Sequence, residues 1–144
     1  MWMIKSFEEL SKEQLFAILK ARVEVFVVEQ DCAYPEIDEL DKTAIHLFKI
    51  DELGQVMAYC RLIPTTSEIK LGRVLVGKNY RQLGLGRDLI NHALDYCTKK
   101  YPGKPVYAQA QAYLENFYSS FGFFSTSEVY LEDNIPHIDM IKID

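Results

Sequence analysis

The stretch from Ile69 to Cys97 constrains the fold more than any other part of the chain. Ile69 to Val76 is a run of mostly β-branched and aliphatic residues and reads as a strand. It leads into Asn-Tyr-Arg-Gln-Leu-Gly-Leu-Gly-Arg-Asp. Leu85, Leu89, Ile90, Ala93, Leu94 and Cys97 then keep helical spacing until Pro102-Gly103 stops them. A strand, a glycine-rich turn and an amphipathic helix in direct succession require a sheet with a helix packed on it.

The rest of the chain alternates in the same way. Trp2 to Lys5 reads as a first strand. Ser11, with Gln14 three positions on, is a capping box that opens a helix, and Leu15, Ile18, Leu19, Val23 and Phe26 fall on one of its faces. Glu29 to Asp41 breaks that period as an acidic loop around Pro35. Ile45–Ile50 and Val56–Ile63 read as two strands joined through Asp51–Gly54 as a hairpin. Val106–Ala110 is another strand and Leu114–Phe121 a short helix ended by Gly122. Phe123–Leu131 and His137–Ile143 are two final strands joined by Glu-Asp-Asn-Ile-Pro. The expected fold class is α/β (α+β), a mixed central sheet flanked by about three helices.

At 144 residues the chain has the length of one domain, expected over 1–144. Its net charge of −5 argues against a nucleic-acid partner, which is bound by clustered Lys and Arg. The absence of an apolar run of roughly 18–20 residues argues against a membrane span, and the first residues lack a basic leader, so a cytoplasmic protein is expected. Cys32, Cys60 and Cys97 are too few and too scattered for a disulfide framework. His46, His92 and His137 share no metal-ligand spacing, so no metal is expected.

The sharpest chemical signal is Arg81-Gln82-Leu83-Gly84-Leu85-Gly86-Arg87. Two glycines let the backbone approach a ligand closely, and the helix start offers free N–H groups and the positive end of the dipole. That suits a pyrophosphate. The run is not a Walker A loop, since no Gly-Lys-Ser/Thr follows, and Leu89 stands where a dinucleotide fingerprint has its third glycine. A ligand-free glycine-rich turn is the bland alternative.

Arg-x-x-Gly-x-Gly opening a helix resembles the acetyl-coenzyme A loop of the GCN5-related N-acetyltransferases (GNAT). Phe117-Tyr118-Ser119-Ser120-Phe121-Gly122-Phe123, some thirty residues on, resembles that superfamily's second marker, Phe-Tyr-x-x-x-Gly-Phe. Two markers in the right order are far more specific than either alone. Val25–Gln30, Tyr34–Asp38, Ala108–Gln111 and Glu132–Ile138 further resemble its ElaA branch. Asn134 stands where that branch usually has glycine, and Tyr113 where it tends to have histidine. The resemblance covers essentially the whole chain. It implies a GNAT-like, largely antiparallel central sheet of about six to seven strands.

It also implies acetyl-coenzyme A as cosubstrate and direct attack on its thioester by a primary amine, small molecule or peptide. By this resemblance Leu75 and Val76 would hold the cofactor's arm through main-chain bonds, and a backbone N–H of their strand would meet the developing oxyanion. Arg81, Gln82, Leu83, Gly84, Leu85, Gly86 and Arg87 would surround the phosphates. Tyr118 matches the position often used as general acid for the departing thiolate, and a phenol remains protonated at neutral pH. Its alternative role is an aromatic packed on the core.

For the base, the residues offer Glu29, His46 and His137, or a water chain with no dedicated side chain. Arg22 and Arg73 either bind an acidic group or pair with the abundant carboxylates. Glu36 and Asp38 belong to a loop with six acidic and no basic residues between positions 29 and 41, and are expected to draw in a cationic amine. Two other readings stay open: a sensor that binds acetyl-coenzyme A without turnover, and an enzyme like the acyl-homoserine-lactone synthases, which Arg22 to Gln30 loosely resembles. Assembly is open, with a homodimer one candidate.

Overall fold

The computed structural model describes residues 1–143. Their order is β1 (Trp2–Ser6), α1 (Lys12–Arg22), a π-helical turn (Val23–Glu29), β2 (Ile45–Ile50), β3 (Val56–Pro64), β4 (Ile69–Val76), α2 (Leu85–Lys100), β5 (Val106–Gln111), α3 (Glu115–Ser119), β6 (Phe124–Ser125), β7 (Tyr130–Glu132) and β8 (Ile135–Lys142). The strands pair in the order β1-β2-β3-β4-β5-β8-β6, with β7 on β8. β4 and β5 run parallel, while β1–β2, β2–β3, β5–β8, β6–β8 and β7–β8 are antiparallel. The mixed, largely antiparallel sheet is the one expected, with eight strands rather than six or seven.

The additional strand comes from a break. Phe123–Leu131 is expected to be continuous, but β6 ends with Ser125 opposite Met140 and β7 resumes with Tyr130 opposite His137. Residues 126–129 therefore face only Asp139 and Ile138. The excess is absorbed by local bonds: Thr126 N–H donates to the Asp139 carbonyl (2.9 Å), and Ser127 Oγ accepts the Asp139 N–H (2.9 Å). Asp133 and Asn134 close the next hairpin at φ +50° and +66°. Asparagine tolerates that conformation, so glycine is not needed there.

The chain forms two compact units, Met1–Ile63 with Arg73–Ala93, and Pro64–Gly72 with Leu94–Asp144. β4 and α2 each pass from one to the other. In the first unit Ile18, Ala21, Val25, Phe26, Phe48, Val56, Tyr59 and Leu75 form a buried core between the α1 segment and the strands. In the second, Ile69, Leu71, Val106, Ala108, Ile138 and Met140 are buried along β4, β5 and β8.

α1 starts as expected. Ser11 Oγ accepts the Gln14 N–H and the Gln14 carboxamide accepts the Ser11 N–H, both at 3.0 Å. Ser11→Ala should cost about 1 kcal/mol of stability, read from urea unfolding; an unchanged midpoint would remove the box from the helix's support. Beyond Arg22 the helix widens. Gln30 N–H reaches the Val25 carbonyl (3.2 Å) and Cys32 N–H the Val27 carbonyl (3.0 Å), each five residues back.

Candidate functional site

In the first unit β4 ends at Val76 and the chain turns at Gly77, whose N–H donates to the Met57 carbonyl (2.9 Å). A short 3-10 turn, Lys78–Tyr80, follows, with the Tyr80 hydroxyl on the Asp51 carboxylate. Asp51 also accepts the N–H groups of Leu53 (2.8 Å) and Gln55 (2.9 Å), so the β2–β3 turn braces the start of the loop.

Gln82 and Gly84 then lie at φ +68° and +76°, two left-handed residues within three positions, before α2 begins at Leu85. Leu85, Leu89, Ile90 and Ala93 are buried and fix the helix, leaving Gln82, Leu83, Gly84 and Arg87 exposed. A Cβ at Gly84 would meet no protein atom within 4 Å, so this face of the loop is open. Exposed backbone at the start of a 16-residue helix, flanked by Arg81 and Arg87, fits an anionic pyrophosphate. A groove of about 800 Å³ with an apolar wall of Phe16, Ala17 and Val28 reaches the preceding 3-10 turn at Lys78 and Tyr80 and is not lined by Arg81–Arg87.

Arg81 ties the loop to its surroundings. Its Nε donates to the Val76 carbonyl (3.1 Å), and its Nη1 and Nη2 grip the Glu29 carboxylate at 2.5 and 2.9 Å. Glu29 ends the π-helical turn, so this pair links the two segments. The hydrogen bond from Arg81 holds the Glu29 carboxyl below the usual carboxylate range, which makes it a weak proton acceptor.

The acidic loop is not the free negative surface its composition suggests. Arg22, 0% exposed, donates from Nε to Glu36 Oε2 (2.7 Å) and from Nη1 and Nη2 to Asp41 (2.7 and 3.1 Å). Arg61 grips Asp38 (2.7 and 3.1 Å) and reaches Asp41 (2.9 Å). Arg73 reaches Glu36 Oε2 (2.9 Å) and lies 3.5 Å from Asp38. Three guanidiniums thus meet three carboxylates. Glu39 pairs with Lys42 (3.1 Å). Glu36, only 3% exposed, and Asp38, the residues expected to draw in a cationic amine, are both paired with arginines. Of the two roles open for Arg22 and Arg73, pairing is the one observed.

His46 belongs to the same network. It is 1% exposed; its Nε2–H donates to the Asp41 carbonyl (2.9 Å), which leaves Nδ1 to accept the Tyr59 hydroxyl (2.6 Å). Burial lowers its proton affinity. Both ring nitrogens of His46 are thus committed to partners within the protein, and the ring is buried.

In the second unit Tyr118 is buried at 3% exposure on α3, edge-on to Phe117 (5.3 Å) and Phe123 (5.6 Å). His137 lies on β8 opposite Gln111, bonded through Nδ1 to the Ile135 carbonyl (2.7 Å) and stacked on Tyr130. Among the described residues no group of His, Cys, Asp and Glu is placed to hold a metal, and no helix is long and apolar enough to cross a membrane.

The residues that sequence reasoning missed are Asp41, Tyr59 and Arg61. A signal for the network existed: Arg61 is a lone charge inside an apolar strand, and Arg22 falls on the same helix row as Ile18 and Phe26. A charge at a core position needs a buried partner.

A family model described as an acetyltransferase (GNAT) domain matches residues 7–143. The chain is similar to ElaA of Escherichia coli (strain K12), 44% identical over 148 residues, covering 98% of this chain and 95% of that protein. The crystal structure of E. coli ElaA superposes with a TM-score of 0.94 at 42% identity over 99% of each chain. An acyl-CoA N-acyltransferase from Pseudomonas aeruginosa superposes at 0.93 with 40% identity, also over 99% of each chain. A CoA-dependent acyl-homoserine lactone synthase, BjaI, reaches 0.81 at 18% identity over 98% of this chain and 82% of that one, a likeness of fold alone.

Proposed function

Because the chain belongs to the acetyltransferase (GNAT) domain family, an acyltransferase family that draws on acyl-coenzyme A, we propose that it moves an acetyl group from acetyl-coenzyme A to a primary amine. The observation that carries this reading is the loop from Arg81 to Arg87, with its two left-handed residues, open face and helix start. The P. aeruginosa relative, an acyl-CoA N-acyltransferase, supports nitrogen as the attacking nucleophile.

In this reaction the amine attacks the thioester carbonyl, the carbon–sulfur bond breaks, and a thiolate departs. The chain's residues would contribute as follows. The Gln82–Arg87 backbone and the Arg87 guanidinium hold the phosphates. Main-chain groups of Leu75 and Val76 hold the arm and meet charge on the thioester oxygen. Tyr118 donates its phenolic proton to the thiolate. Glu29 is assigned to Arg81 and His46 to the core, which leaves His137, bonded through Nδ1 to the Ile135 carbonyl, or water to take the amine's proton. The acceptor is a small-molecule or peptide amine whose recognition does not rest on the charge of Glu36 or Asp38.

The loop assignment is tested by titration calorimetry with acetyl-coenzyme A. Gly84→Val should raise Kd some tens-fold, because a β-branched residue resists φ +76° and its side chain fills the open face. Gly103→Val imposes a similar backbone penalty at φ +83° in another turn and should leave Kd unchanged. Unchanged affinity in a folded Gly84→Val protein would refute the placement.

A further inference from the structure

The buried ion network has a consequence in β4. Arg73 sits inside that strand at φ +52°, the left-handed region that non-glycine residues avoid. The ladder between β4 and β5 consists of Ile69–Val106, Lys70–Tyr107 and Leu71–Ala108, so the extended path breaks two residues past its last pair. Left-handed backbone in a side-chain-bearing strand residue persists only where its surroundings over-determine it.

Here they do. Arg73 Nε donates to Glu36 Oε2 and Nη2 to the Glu36 carbonyl, both at 2.9 Å, and the guanidinium lies 5.8 Å from the centre of the Tyr34 ring. Glu36 is itself immobilised: its side chain is 2% exposed, Arg22 Nε reaches the same Oε2 at 2.7 Å, Arg22 Nη2 reaches the same carbonyl at 2.9 Å, and the Tyr34 hydroxyl donates to Oε1. A fork held at two points on a buried post restrains the backbone that carries it.

We propose that Glu36 and Arg73 are positioning residues, a clamp that holds β4 left-handed at Arg73 and thereby sets the aim of the main-chain groups of Leu75 and Val76 toward the acyl thioester. This rests on the acetyl-transfer reading above. Neither side chain needs to touch the reacting atoms. The clamp acts two and three residues before the groups it aims.

Alanine and glycine at position 73 separate this role from any other. Both remove the guanidinium, but only glycine adopts positive φ freely. The full-length wild type, Arg73→Ala and Arg73→Gly are compared for kcat with an amine acceptor, for Kd of acetyl-coenzyme A and for melting temperature. Arg73→Ala should lose on the order of 10- to 100-fold in kcat with Kd nearly unchanged, the scale of a misplaced reacting group. Arg73→Gly should return to within about threefold of the wild type and melt no lower than Arg73→Ala, although glycine ordinarily weakens a strand. Equal losses in the two variants, or full activity in both, would overturn the clamp. A wild type without acyl transfer would refute the acetyl-transfer reading instead. The melting order still decides the backbone claim in that case, and a glycine variant melting clearly below the alanine variant would overturn it.

Discussion

Arg22→Ala should destabilise the folded protein by about 3–5 kcal/mol, the usual cost of removing one partner from a buried ion pair. The residue is fully buried and serves Glu36 and Asp41 together, so its loss leaves two buried carboxylates with only Arg73 and Arg61, respectively, as guanidinium partners. Arg22→Lys keeps the charge but cannot bridge both acids with a planar fork, and should fall between. The pH dependence has a defined sign. Arg61 holds the Asp38 carboxyl below the ordinary aspartate range. Burial would raise the Asp41 carboxyl, but Arg22, the Asp38 N–H and Arg61 together outweigh it and the net direction is down. Groups with lowered folded values stabilise the protein above their unfolded range, and that contribution is lost as pH falls through the folded values. The gap between wild type and Arg22→Ala in urea midpoint should therefore be full at neutral pH and narrow in acid. A gap under about 1 kcal/mol at pH 7, or one that widens in acid, would mean the network does not hold the first unit together.

Tyr118→Phe should lower kcat on the order of 100-fold while leaving the Kd of acetyl-coenzyme A nearly intact, because the substitution removes the hydroxyl with its acidic proton and little volume. The competing role is packing: Tyr118 is edge-on to two phenylalanines, and phenylalanine would preserve those contacts. A packing role therefore predicts normal turnover in Tyr118→Phe, with at most about 1–3 kcal/mol of stability lost if the hydroxyl's hydrogen bond matters. The kcat-to-stability split distinguishes the two in one protein preparation.

Much of the fold was legible because its signals are local. The Ser11–Gln14 box, the Asp51–Gly54 turn, the bounds of β2 and β4 and the start of α2 each depend on residues within a few positions of one another. The π-helical turn was not legible, since a valine-rich continuation of a helical period does not announce which carbonyl each N–H will choose. Nor was the break between β6 and β7, where the outcome depends on register against β8.

The site divides along the same line. The glycine loop and the tyrosine marker are contiguous in sequence and could be read directly. The pairing of the acidic loop could not be read, because most of its carboxylates meet arginines elsewhere in the chain: Arg22 lies 14 positions from Glu36, Arg61 is 23 from Asp38, and Arg81 is 52 from Glu29. Composition counts charges but not their partners. The left-handed Arg73 escaped for a related reason, since nothing in Leu-Gly-Arg-Val-Leu distinguishes an extended residue from one held open by a distant glutamate.

The central claim is acyl transfer to nitrogen, and the most direct measurement uses acetyl-coenzyme A with an isotopically labelled acetyl group and a panel of primary amines spanning small molecules and peptides. Products are followed by mass spectrometry and free thiol by colorimetric release. The account predicts labelled N-acetylated product and free coenzyme A in equal amounts for at least one amine, with both lost together in Gly84→Val. Tight binding of acetyl-coenzyme A with the thioester recovered intact across the whole panel would contradict it and leave a protein that binds the cofactor without turning it over.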